Sequence, residues 1–84
     1  MVTVKLFGTL RLDSGVKSLE LEADTVREIY PLIMAEILRN APDTAIREKD
    51  IKSCIVSVNE KKANARTQLQ NGDVVYIIPP AAGG

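Results

Sequence analysis

The sequence predicts an α+β domain, a mixed sheet with one main helix packed on one face. Three stretches carry the prediction. Residues 2–7 (VTVKLF) alternate apolar and polar, the period of a half-buried strand. From Val26 onward the apolar spacing becomes three and four, the period of an amphipathic helix. From Val74 to Ile78 the chain is apolar without a break. Such a run suits a central strand, covered on both faces or covered on one and used for binding on the other.

In the first strand Val2, Val4 and Leu6 face one way, and Thr3, Lys5 and Phe7 the other. Gly8 and Thr9 allow a turn, and Asp13, Ser14 and Gly15 have turn chemistry. In SLELEA, Leu19 and Leu21 alternate with Ser18, Glu20 and Glu22, so the first two strands form a hairpin. Thr25 followed by Glu28 fits a capping box, with Asp24 adding negative charge at the helix start. Val26, Ile29, Tyr30, Ile33 and Ile37 then line one face. Pro31 interrupts that pattern, because proline inside a helix costs about 3 kcal/mol. A separate bend is therefore expected before Pro31, with the main helix running from near it to about Asn40. Residues 43–53 carry mixed charge and read as a loop or a short irregular element. Cys54 to Val58 is a third strand ending at Asn59, and Gln70-Asn71-Gly72-Asp73 is a turn before the last strand. If the first and last strands are central neighbours, the long connection lets them pair in parallel.

At 84 residues, 45% of them hydrophobic, the chain affords one domain with a real core. Residues 1–78 make up that domain, and residues 79–84 form an extended tail. Eleven basic and eleven acidic side chains cancel, which argues against a nucleic-acid binder. There is no histidine, so an imidazole base and the commonest metal ligand are both missing. One cysteine, Cys54, cannot make an internal disulfide or a thiolate cluster. No metal site and no intrinsically bound cofactor are expected. The opening MVTVKLFG lacks a signal-peptide pattern, and no apolar run approaches the roughly 20 residues that span a bilayer. A cytoplasmic protein without membrane contact is expected, with few means of doing chemistry by its own side chains.

The ending VVYIIPPAAGG supplies what the side chains lack. Pro79 and Pro80 have no backbone N–H, so they end the strand ladder and start the tail stiff and extended. Six residues from Pro79 reach at most about 20 Å, enough to enter a partner's active site. Ala81, Ala82, Gly83 and Gly84 are thin. Glycine has no Cβ, so Gly83 threads a narrow channel and the terminal carboxylate of Gly84 stays open to attack. A carboxylate that must be activated, for instance by adenylation, needs this slender approach.

The run LQNGDVVYIIPPAAGG, with the opening VTVKLFGTLR and the turn at Val58-Asn59, resembles the ubiquitin-like sulfur carriers over most of the chain. The Pro-Pro pair makes it more similar to the small subunit of molybdopterin synthase than to the thiamine-pathway carrier. The resemblance implies a β-grasp fold. It also implies an adenylating enzyme that uses ATP to activate Gly84, conversion of the carboxylate to a thiocarboxylate, and insertion of the tail into the large synthase subunit. Sulfur delivered there builds the dithiolene of molybdopterin. Catalytic side chains would then lie in the partners. Where relatives often have Asn-Gly after the third strand, this chain has Asn59-Glu60, so a different turn type is expected there.

Phe7, the only phenylalanine, reads as an exposed anchor for a partner, beside Leu10, Leu69 or outward residues of the last strand, or else as edge packing. Pro79, Pro80, Ala81 and Ala82 are the other expected partner contacts. Cys54 reads as a small core residue, since nothing nearby in sequence activates it. Lys61, Lys62 and Arg66 read as a solvated hairpin, and Asp73 as turn chemistry. Other functions keep the tail and change the acceptor: a thiamine-type carrier, or a protein modifier conjugated through Gly84. A β-grasp binding module with an incidental tail is the remaining alternative.

Overall fold

The structure, a computed structural model, describes residues 1–80. Strand β1 (Val2–Leu6) is followed by helix α1 (Gly8–Ser14), β2 (Ser18–Leu21), α2 (Val26–Asn40), α3 (Glu48–Lys52), β3 (Ile55–Val58), β4 (Lys61–Lys62) and β5 (Val74–Ile78). The strands form one sheet in the order β2-β1-β5-β3-β4. β1 and β5 are central and parallel, with Val4 opposite Val75 and Leu6 opposite Ile77. β2 runs antiparallel to β1, and β3 antiparallel to β5.

Period-two alternation decides which face is covered. Val2, Val4, Leu6, Val56, Val75 and Ile77 point to one side and are buried with Val26, Ile29, Tyr30, Ile33 and Ile37 of α2. Each large aliphatic side chain buried this way contributes about 1.5–3 kcal/mol. Thr3, Lys5 and Tyr76 point the other way and stay partly or fully exposed. The apolar run of β5 is thus covered on one face only.

Several expectations change. The connection between β1 and β2 holds α1 rather than simple turns. Gly8 adopts φ +58° as the chain leaves β1, and Gly15 closes the helix at φ +73°, its N–H donating to Arg11 O at 2.9 Å. Only Leu10 and Ser14 of α1 are buried, an i,i+4 pair too short to show as a period. Residues 48–52 form α3, whose one buried side chain is Ile51; the Asp50 carboxylate accepts the Arg47 N–H at 2.8 Å. β3 starts at Ile55, leaving Cys54 just outside it.

α2 is continuous from Val26 through Pro31. Its first amides find acceptors outside the helix: Val26 N–H donates to Thr67 O at 3.0 Å and Arg27 N–H to Ala65 O at 2.9 Å. Glu28 reaches back to accept the Asp24 N–H (3.1 Å) and the Thr25 hydroxyl (3.3 Å), while Thr25 Oγ1 makes no cap bond. Neither reciprocal bond of the expected capping box is therefore formed: Glu28 takes the amide one residue before the cap, and the Ala65 and Thr67 carbonyls hold the first helical amides. Asn59 and Glu60 join β3 to β4 with φ +51° and +70°. Positive φ at both central residues is the type I′ turn that Asn-Gly favours, so the expectation of a different turn type is corrected.

Candidate functional site

The end of β5 gathers the candidate residues. Phe7 N–H donates to Ile77 O at 3.2 Å, extending the parallel ladder one residue past β1. Its ring meets Tyr76 edge-on, with centroids 5.0 Å apart and planes at 63°. Ile78, 36% exposed, lies directly opposite Ile55, which is 51% exposed. Phe7, Tyr76, Ile78 and Ile55 thus make an apolar patch on the uncovered face, at the point where the chain leaves the sheet.

Pro79 sits behind this patch, its ring against Gly8. A Cβ added at Gly8 would come within 3.4 Å of Pro79 Cγ, and φ +58° already disfavours any larger residue. Strand β1, its turn and the first tail proline are therefore fitted to one another, so the exit of the tail is fixed by the fold. Pro80 is exposed. Ala81, Ala82, Gly83 and Gly84 lie outside the described residues.

Leu69 and Leu10 do not join the patch. Leu69 is 8% exposed and Leu10 6%, both in the core cluster. Leu69 N–H donates to Asp24 O at 2.8 Å and its side chain is buried in the core, so an exposed contact at Leu69 is corrected. Ile55 is the member that sequence reasoning missed. Its run, Cys54 to Val58, is mostly apolar, and only the phase set by the buried Val56 shows which residues face out.

Cys54 is partly buried, and its Sγ donates to Asp50 O at 3.3 Å. Burial pushes the thiol pKa up, and the nearby Asp50 carboxylate pushes it the same way. Both causes keep the sulfur protonated and a poor nucleophile at neutral pH. Asp73 is ordinary turn chemistry: its carboxylate accepts the Gln70 N–H at 2.8 Å and the Asn59 side-chain amide at 2.9 Å. Among the described residues, no three His, Cys, Asp or Glu side chains gather to hold a metal, and no helix is long and apolar enough to cross a membrane.

A central parallel pair, two antiparallel flanks and one main helix on one face define a ubiquitin-like β-grasp protein with an exposed patch at the root of its C-terminal tail. Residues 4–84 match the ThiS family, and the chain belongs to it. It is a ubiquitin-like sulfur carrier. Among solved structures, the chain is 29% identical to a chain of the Amycolatopsis orientalis BexX/CysO complex, covering all of both chains with a TM-score of 0.69. A putative molybdopterin converting factor subunit 1 from Pyrococcus furiosus is 25% identical, with 95% of this chain and 97% of that one covered and a TM-score of 0.62. Small archaeal modifier protein 1 from Methanosarcina acetivorans shares the fold at 23% identity and a TM-score of 0.67, over 99% of this chain and 95% of that one. No curated protein matches the sequence.

Proposed function

We propose that the chain is the sulfur-carrying small subunit of a molybdopterin synthase, acting in the cytoplasm. The observation that carries this reading is the junction at Ile78-Pro79. There an exposed apolar patch surrounds the base of a tail reading Pro-Pro-Ala-Ala-Gly-Gly. The likeness to the Pyrococcus furiosus converting factor subunit favours the molybdopterin branch.

The chemistry follows from a carboxylate that has no good leaving group. A Gly84 oxygen attacks the α-phosphorus of ATP in the activating enzyme and releases pyrophosphate. Hydrosulfide from a sulfur donor then displaces AMP, forming the C–S bond as the C–O bond to phosphate breaks. The resulting thiocarboxylate is carried into the large synthase subunit, where its sulfur attacks a carbon of the pterin precursor, the new C–S bond forming as a C–O bond at that carbon breaks and its oxygen departs. Hydrolysis of the acyl–sulfur bond restores the carboxylate. In this scheme Gly83 threads, Pro79 and Pro80 aim, and Phe7, Ile78 and Ile55 dock.

Intact mass after co-expression with the activating enzyme tests the proposal. The expected result is a gain equal to exchanging one oxygen for sulfur, abolished by deleting Gly83-Gly84, while Gly84→Ala leaves the melting temperature unchanged. No gain, together with full synthase activity of the deletion, would overturn it. Gly-Gly remnants on lysines of other proteins would favour a modifier, and rescue of thiamine synthesis alone a thiamine-type carrier.

A further inference from the structure

A second concave surface lies at the β4 edge of the sheet and shares Ile55 with the patch at the root of the tail. After Lys62 the chain leaves β3 and crosses to the start of α2, where Ala65 O accepts the Arg27 N–H. This divergence opens a groove of about 510 Å³ with a floor that includes Cys54, Val56 and Ala63. Arg27, Lys52 and Lys62 line it, and none of its lining residues is acidic. In a chain of zero formal charge, three cations and no carboxylate in one groove is a local segregation of charge. Lys52 is already bridged to Glu48 at 3.2 Å, whereas Arg27 and Lys62 make no ion pair among the described residues.

The backbone adds a direction. Val58 and Lys61 close a two-residue hairpin, and Ala63 N–H donates to Val56 O at 3.0 Å. Hydrogen-bonded and non-bonded pairs alternate along an antiparallel ladder, so the Ser57–Lys62 pair between them is non-bonded. The N–H and C=O of Lys62 therefore point outward from the sheet edge. Among the described residues, the Val56 amide forms no return bond to Ala63. An edge strand with free backbone groups is a template for an added extended segment.

We infer that this groove docks an extended acidic peptide segment of a partner protein, laid along β4. Its alternate side chains are aliphatic on the helix side, over Cys54 and Val56, and carboxylates on the open face at Lys62, which pairs with Ser57 beside Tyr76. Arg27 draws the segment in by its charge. The proposal goes beyond sulfur carriage and does not involve the tail. Charge complementarity selects an acidic occupant, and the free groups of Lys62 select an extended one. A nucleic acid is disfavoured because the rest of the molecule has no basic excess to follow a phosphate backbone.

The test uses the full chain and a six-residue peptide alternating valine with glutamate, compared with its glutamine counterpart. Amide chemical shifts are followed during titration. The expected shifts cluster at residues 52–56 and 62–65. The glutamine peptide should bind about tenfold more weakly, and the pair Arg27→Glu with Lys62→Glu should abolish binding while the circular dichroism melt stays intact. Raising the salt should weaken the acidic peptide alone. Equal binding of the two peptides, shifts confined to the Phe7–Ile78 patch, or the same shifts with inorganic phosphate alone would each overturn the inference. Because no step uses Gly84, failure here leaves the carrier reading intact, and the reverse also holds.

Discussion

Asp73 and Asn59 stitch together two turns that are far apart in sequence. Asp73 accepts the Gln70 N–H and the Asn59 side-chain amide, and Asn59 Oδ1 accepts the Val74 N–H at 2.9 Å. The Gln70 bond first, and the Asn59 bond second, hold the Asp73 carboxyl below its ordinary 3.8. A lowered folded-state pKa favours the ionised fold, so this stabilisation is present above the unfolded value and fades as pH falls through the folded one. Asp73→Asn should therefore lower the urea midpoint at neutral pH, with the gap to the native protein closing below about pH 3.8. A gap that stays constant with pH would show that the charge contributes nothing. At this scale apolarity was legible and exposure was not. Phe7 and Leu69 are both apolar and near turns, yet Phe7 stays partly exposed and Leu69 lies in the core, on a segment whose main chain is held by the Asp24 carbonyl.

The elements show where local rules were outweighed. Pro31 removes one hydrogen bond from α2 and should have broken it, at a cost of about 3 kcal/mol. The helix continues because Ile29, Tyr30 and Ile33, on both sides of the proline, are buried, and each contributes about 1.5–3 kcal/mol. The 65–67 carbonyls also hold the first amides. Pro31 itself is exposed, so Pro31→Ala should restore a bond to the Arg27 carbonyl without opening a cavity. An increase in stability of up to about 3 kcal/mol is expected in a denaturant melt. An unchanged or lowered midpoint would mean that α2 needs the stiffness of proline in place. α1 and α3 were not legible, since each buries only one or two side chains and periodicity needs several.

For the molecule as a whole, the sheet has one covered and one open face, and the proposed docking patch lies on the open one. Phe7→Ala combined with Ile78→Ala should leave the melting temperature within a few degrees of native, because both side chains are partly exposed. Binding to the activating enzyme, measured by calorimetry, should weaken at least about tenfold if the patch anchors the partner. Unchanged affinity together with unchanged sulfur loading would remove the patch from the docking surface.

The sequence by itself determined the α+β class, the helix face and the glycine-ended tail, and it allowed a parallel pairing of the first and last strands only on the condition that they are neighbours. These follow from short-range periods and from residue types whose backbone limits are intrinsic. Only the tertiary structure decided that α2 passes through Pro31, that Leu69 goes inside, and that Ile55 joins Ile78 beside the tail. It also brought Arg27, Lys52 and Lys62 to one groove. Each of these depends on strands and loops meeting across dozens of residues, where burial and long-range hydrogen bonds outweigh local preference.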